Sequence, residues 1–201
     1  MFKRRNFAVN KSGNQNRSVR NTKKRLKEAL LILLQKKPVN EISVTELSEL
    51  ADVNRGTFYF HYKDVYDILY RTQDEFFREF EEILDFDENS KTNIYRDLLK
   101  IFSFLADNHD MCRVFFSENN DMKFFNKIKS LVNKHLCSLW KYADISFNEA
   151  NTEMYNAFIV NGCAGIMKRW LDDGLKETSE EIASLVSSII SSILNTNHCL
   201  L

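Results

Sequence analysis

Arg55, Thr57, Tyr59, His61 and Lys63 alternate along one short stretch, Arg55-Gly56-Thr57-Phe58-Tyr59-Phe60-His61-Tyr62-Lys63. All five side chains can donate hydrogen bonds, and Arg55 and Lys63 carry permanent charge. That set suits phosphates and base edges. Arg55 can reach a base edge or a phosphate, and a bidentate Arg–guanine contact contributes about 1–3 kcal/mol of discrimination. Thr57 offers a hydroxyl and a methyl, suited to a phosphate or a thymine methyl. Gly56 lets the backbone come close. Tyr59 and His61 are placed to donate to phosphates. Lys63, Lys23 and Lys24, with Thr45, add positioning contacts. Phe58 belongs to a core or to a base-methyl contact, and Tyr62 to a core.

Two short helices must position these groups. Ser43 and Glu46 have the spacing of a capping box, in which the hydroxyl accepts from the N3 amide and the carboxylate reaches back to the cap amide. Val44, Leu47, Leu50 and Ala51 then form one apolar face. Asp52 stands where that helix must stop, and Asp tolerates the left-handed conformation such a stop needs. Asn54 is a good N-cap for the next helix and joins the candidate DNA-contacting set. A helix, a tight turn and a second helix rich in polar and aromatic side chains describe a helix-turn-helix.

The run Ala51-Asp52-Val53-Asn54-Arg55-Gly56-Thr57-Phe58-Tyr59-Phe60-His61-Tyr62 resembles the DNA-binding half of TetR-type (TetR/AcrR) transcriptional regulators. Their pattern runs A-G-V-S-x-G-T-hydrophobic-Y-x-H-F and then K. Two positions depart from it. Asp52 replaces the turn glycine, and the usual lysine falls on Val65, with Lys63 two residues earlier. Further on, Gly162-x-x-Gly165-Ile166-x-Lys168-x-Trp170-Leu171-x-x-Gly174 resembles the C-terminal domain of the DhaS-like subgroup of that family. The resemblance implies a homodimeric regulator, a repressor released from a palindromic operator by a small-molecule effector. Some relatives of the subgroup instead act as co-activators through protein partners, which is the alternative expectation.

Composition agrees with a helical chain. Among 201 residues there are one Pro and five Gly, so breakers are scarce and an all-α fold with short connections is expected. The resemblance implies an N-terminal three-helix domain and a C-terminal helical domain, about nine helices in all. The net charge of zero hides a split. Residues 1–63 hold 14 Lys and Arg against 5 Asp and Glu, a net of +9, and the remainder is −9. A basic module on an acidic body is the layout of a nucleic-acid reader. The expected divisions are a flexible basic arm over 1–19, the helix-turn-helix domain over 20–66, and an effector-binding and dimerisation domain over 67–201.

Four scattered Cys, no CxxC pair, no apolar leader segment and no membrane-length apolar run predict free thiols in a reducing cytoplasm. No GxSxG, HExxH, P-loop or GxGxxG motif occurs, so no enzyme activity is expected. No cofactor and no metal are expected; His109, Cys112, His135 and Cys137 are candidates for a metal effector, but their spacing is not diagnostic of one.

The sixteen Phe suggest a cavity for an apolar or aromatic guest as well as a core. The candidate lining is Phe76, Phe102, Phe104, Phe115, Phe116, Phe125, Trp140, Tyr155 and Phe158. Gly162, Ala164 and Gly165 allow close approach of another helix. With the apolar positions of the last helix they suggest a two-helix face that meets its copy across a twofold axis. Candidate interface residues are Gly162, Gly165, Trp170, Leu185, Ile189 and Ile193. Two further capping boxes are read at Ser146–Glu149 and Thr178–Glu181.

Overall fold

Helix termini and apolar stripes account for most of the architecture. The computed structural model describes residues 11–84, 93–117, 122–142 and 149–196. Residues 1–10 of the expected arm, the acidic stretch 85–92 and the Ser146 half of a capping box lie outside the described residues. Among the described residues the structure is helical throughout: α1 (Lys11–Leu34), a short 3-10 turn (Val39–Glu41), α2 (Val44–Leu50), α3 (Arg55–His61), α4 (Val65–Leu84), α5 (Ile94–Asp107), α6 (His109–Phe115), α7 (Met122–Tyr142), α8 (Glu149–Asp172) and α9 (Ser179–Thr196). The chain divides into two compact units, Met1–Thr72 and Gln73–Leu201.

In the first unit α1 packs on α2 and α2 on α3. Leu26, Leu30, Leu47, Phe58 and Ile68 are fully buried there. One expectation is corrected. Residues 11–19, read as part of a flexible arm, belong to α1. Once Leu26–Leu34 pack and nucleate a helix, each further residue adds one hydrogen bond, and no proline stands between Lys11 and Lys37 to stop it. The polar composition therefore did not prevent a helix, and Arg17, Ser18 and Arg20 on it are exposed.

In the second unit α5 packs on α9, α7 on α8, and α6 on both α8 and α5. An aromatic cluster holds one side of it. Phe76 meets Phe80, Phe104, Phe115, Phe116 and Phe124 at centroid distances of 5.1–6.3 Å, mostly tilted or edge-on as ring quadrupoles prefer. The Thr178–Glu181 capping box forms in both directions: Glu181 N–H donates to Thr178 Oγ1 at 3.2 Å, and Thr178 N–H donates to Glu181 Oε2 at 2.8 Å. Just before it, α8 ends in Gly174 at φ 83° and Leu175 at φ 56°. The Leu175 amide closes back on Trp170 O, and the Gly174 amide on Leu171 O, which is the Schellman pattern. No described helix is long and apolar enough to cross a membrane.

Candidate functional site

The first candidate site is built on the turn between α2 and α3. Glu46 N–H donates to Ser43 Oγ at 3.1 Å, which caps α2. The reciprocal half of that box is corrected: the Glu46 carboxylate accepts from Lys37 Nζ at 2.7 Å. A full cation outbids a backbone amide for a carboxylate.

Helix α2 ends in a second Schellman motif. Asp52 N–H donates to Glu49 O and Val53 N–H to Ser48 O, with Asp52 left-handed at φ 48°. This is the conformation for which the family keeps a glycine, and it costs a residue with a Cβ roughly 1 kcal/mol. Arg25 of α1 offsets the cost by donating from Nη2 to both the Asp52 backbone oxygen and its carboxylate.

Asn54 then starts α3, its Oδ1 accepting from Gly56 N–H at 2.7 Å. A Cβ on Gly56 would stand 3.2 Å from that same Oδ1. Gly56 therefore makes room for the cap within the chain itself, whatever approaches from outside.

Helix α3 buries one residue, Phe58, which resolves that position as core. Arg55, Gly56, Thr57 and Tyr59 are exposed, and so are Asn54, Thr45, Lys23, Lys24 and Lys63. Tyr62 is buried, with Arg71 stacked over its ring 5.4 Å away. Val65, which stands where the family pattern has lysine, is buried too.

The start of α4 fixes the backbone at Lys63. Asp67 N–H donates to Asp64 Oδ1, and Lys63 N–H donates to Asp67 Oδ2. The Lys63 amide and the Arg71 guanidinium hold the Asp67 carboxyl below its usual range. His61 is half-buried, and burial together with the nearby Lys23 ammonium lowers its pKa.

One residue escaped the sequence reading. Phe60 is 81% exposed on α3, packed edge-on against His61. A large apolar ring left in water on the same short helix as Arg55 and Tyr59 was legible as the middle of the Tyr59-Phe60-His61 triplet.

The second candidate site is a cavity of about 300 Å³ inside the second unit, at the small end of the range for ligand pockets. Of the expected lining, Phe102, Phe116 and Phe125 are present. Five others are corrected. Phe76, Phe104 and Phe115 pack against one another beside it, Tyr155 is half-buried away from its wall, and Phe158 points outward, 64% exposed. The Trp140 side chain lies outside the described residues.

Most of the wall is aliphatic, from Ile94, Leu98 and Ile101 on α5 through Ile128 and Val132 on α7 to Val160 and Met167 on α8. Phe80 and Leu84 of α4 complete it. Asp97, Lys129, His135 and Cys163 are its polar or titratable members. Burial pushes the Cys163 thiol up to about 11, so it is inert as a nucleophile. Among the described residues no cluster of three or more His, Cys, Asp or Glu could hold a metal ion.

A third feature is a set of exposed apolar side chains on α8 and on α9. Met154 and Phe158 on α8, and Leu185 and Ile189 on α9, are 41–74% exposed. Gly162 and Gly165 are open as well, and an added Cβ at either would meet nothing within 4 Å. Ile193 is half-buried. Trp170, expected at the dimer interface, is corrected to the unit's own core. It is 3% exposed, edge-on to Phe102 at 5.6 Å, and its indole N–H donates to Glu177 O at 2.9 Å.

Known proteins frame these features. A TetR-type family model described as "Transcriptional regulator C-terminal region" matches residues 92–192. No curated protein matches the chain in sequence. Among solved structures, the dihydroxyacetone kinase operon activator DhaS is 17% identical, with 87% of this chain and 97% of that one covered and a TM-score of 0.60. A TetR transcriptional regulator from Streptococcus agalactiae is 20% identical, covering 89% and 98%, with a TM-score of 0.61. The regulator FadR from Bacillus subtilis, in complex with stearoyl-CoA, is 18% identical, covering 83% and 96%, with a TM-score of 0.61. At these identities the solved structures show a shared fold. The all-helical architecture and the match over half of the sequence lead to one assignment: this chain belongs to the TetR family of transcriptional regulators.

Proposed function

We propose that the protein binds duplex DNA through α3, as a homodimer, and that a small molecule in the cavity releases it from a palindromic operator. The observation that carries this reading is the division of α3, whose one buried residue is Phe58 while Arg55, Thr57, Tyr59 and Phe60 face water. Arg55 reads a guanine edge, and Phe60 and Thr57 contact thymine methyls. Tyr59, His61, Lys23, Lys24, Lys63 and Thr45 hold phosphates. Asn54 and Gly56 set the angle at which α3 enters the groove. Lys63 takes over the phosphate contact that the family's lysine would make at buried Val65.

A shift assay with DNA from upstream of the protein's own gene tests this. Arg55→Ala is expected to weaken specific binding about 5- to 150-fold. Lys63→Ala is expected to weaken specific and nonspecific binding alike. If neither variant changes the shift, α3 is not the reader.

The dimer reading rests on the exposed apolar side chains of α8 and of α9, and on two bare glycines that leave room for a partner helix. Leu185→Glu is expected to convert a dimer to a monomer by sedimentation velocity. A wild-type chain that sediments as a monomer at micromolar concentration would sink it.

A second reading follows from the similarity to an operon activator. In it the same fold works through a protein partner, with weak DNA contact of its own. Absent or salt-insensitive DNA binding by the wild-type chain would favour that reading.

A further inference from the structure

Asp97 is out of keeping with the cavity it lines. It sits in the first turn of α5, is 5% exposed, and faces a wall that is otherwise mostly hydrocarbon. A buried carboxylate normally has hydrogen bonds and a close ion pair to offset the loss of water. Here Arg96 Nε stands 3.5 Å from Oδ1, a long contact and a weak one. Neither carboxylate oxygen has a hydrogen-bond partner among the described residues. The N-terminal end of α5 favours negative charge there, but a dipole does not replace a donor. Burial accordingly raises the Asp97 pKa, against the pull of Arg96, Lys100 and His135.

Lys129 is the other fixed charge on the wall. Its Nζ donates to the exposed Asn161 at 3.4 Å and lies 5.1 Å over the Phe125 ring. Those contacts hold the ammonium at Asn161 and Phe125. A ligand head group buried at Asp97 therefore meets an acceptor in need of a donor, and an anion there would set two like charges together.

Resting on the reading of this cavity as the effector site, we infer that it takes an aliphatic molecule whose head group, an amine or a hydroxyl, donates a hydrogen bond to Asp97. The hydrocarbon body fills the space between Ile101, Val132, Leu136 and Val160. Chains ending in a carboxylate are disfavoured.

The test uses the full chain, titrated calorimetrically with 1-decylamine, 1-decanol and decanoate below their micelle concentrations. The amine or the alcohol is expected to bind at least about tenfold more tightly than decanoate, the worth of one charge-assisted hydrogen bond. Asp97→Asn is expected to remove the amine's advantage while largely sparing the alcohol, which tells the two head groups apart. Asp97→Leu is expected to melt at a higher temperature than wild type when empty, and to lose head-group preference. Decanoate binding as tightly as the amine and the alcohol, or an advantage of the amine over decanoate unchanged by Asp97→Asn, overturns the inference. Binding in the expected order without any change in DNA affinity leaves the inference standing and removes the effector reading. Failure of all three probes to bind overturns the inference and leaves the effector reading to other ligands.

Discussion

Phe58→Ala is expected to unfold the first unit while leaving the second one folded. The ring is fully buried, edge-on to Tyr59 at 5.5 Å and tilted against Tyr62 at 5.9 Å. Truncating such a ring costs about 3–5 kcal/mol, from lost transfer energy and the cavity left behind. A unit of this size has a stability of only about 5 kcal/mol to spend, so the loss takes most of it. Both tryptophans, Trp140 and Trp170, lie in the second unit, which separates the readouts. Circular dichroism should show an early helix-melting step, tryptophan fluorescence should keep its wild-type midpoint, and DNA binding should vanish. Two coincident transitions at the wild-type temperature would refute the expectation. Phe58→Leu, which keeps most of the volume, serves as the milder control.

Raising salt from about 50 to 200 mM is expected to cost roughly a thousandfold in DNA affinity. Lys23, Lys24 and Lys63 are exposed and give three phosphate contacts per subunit in the proposed complex, so a dimer releases about six counterions. The slope of log K against log salt is then near −5. Lys63→Ala should lower its magnitude by about two, one contact on each subunit. A slope near −1 would mean that these lysines do not meet phosphate. Arg55→Ala, by contrast, should act more on the choice of site than on the slope, since a base contact carries the discrimination.

The helix-turn-helix was legible because its signals are local. Ser43, Asp52 and Asn54 each act within a few residues of their own amides, and a pattern of types and spacings contains that information. What the pattern lacked was competition from farther away. Lys37 takes the Glu46 carboxylate, and Arg25 takes Asp52, and neither partner follows from the motif.

The cavity was less legible. A count of aromatic residues says how much ring is present but not which face it lines, and Phe76, Phe104 and Phe115 were spent on one another. Asp97 was within reach, since it falls on the stripe of Ile101 and Leu105 at helical spacing. A charge at an apolar position is a better marker of a site than another phenylalanine. Trp170 shows the remaining gap: periodicity places a side chain on a helix face without telling whether that face meets its own chain or a copy.

The left-handed Asp52 bears on modularity. A glycine would let the turn between α2 and α3 close from local sequence alone. Here the closing residue is held by Arg25, 27 positions earlier on another helix. An exposed ion pair of this kind contributes about 0–1 kcal/mol, close to what the backbone conformation costs. The turn is thus stable only in company. A graft of residues 43–64 onto another scaffold would carry the reading surface but leave behind its hinge pin. To transplant this reader, α1 must travel with it.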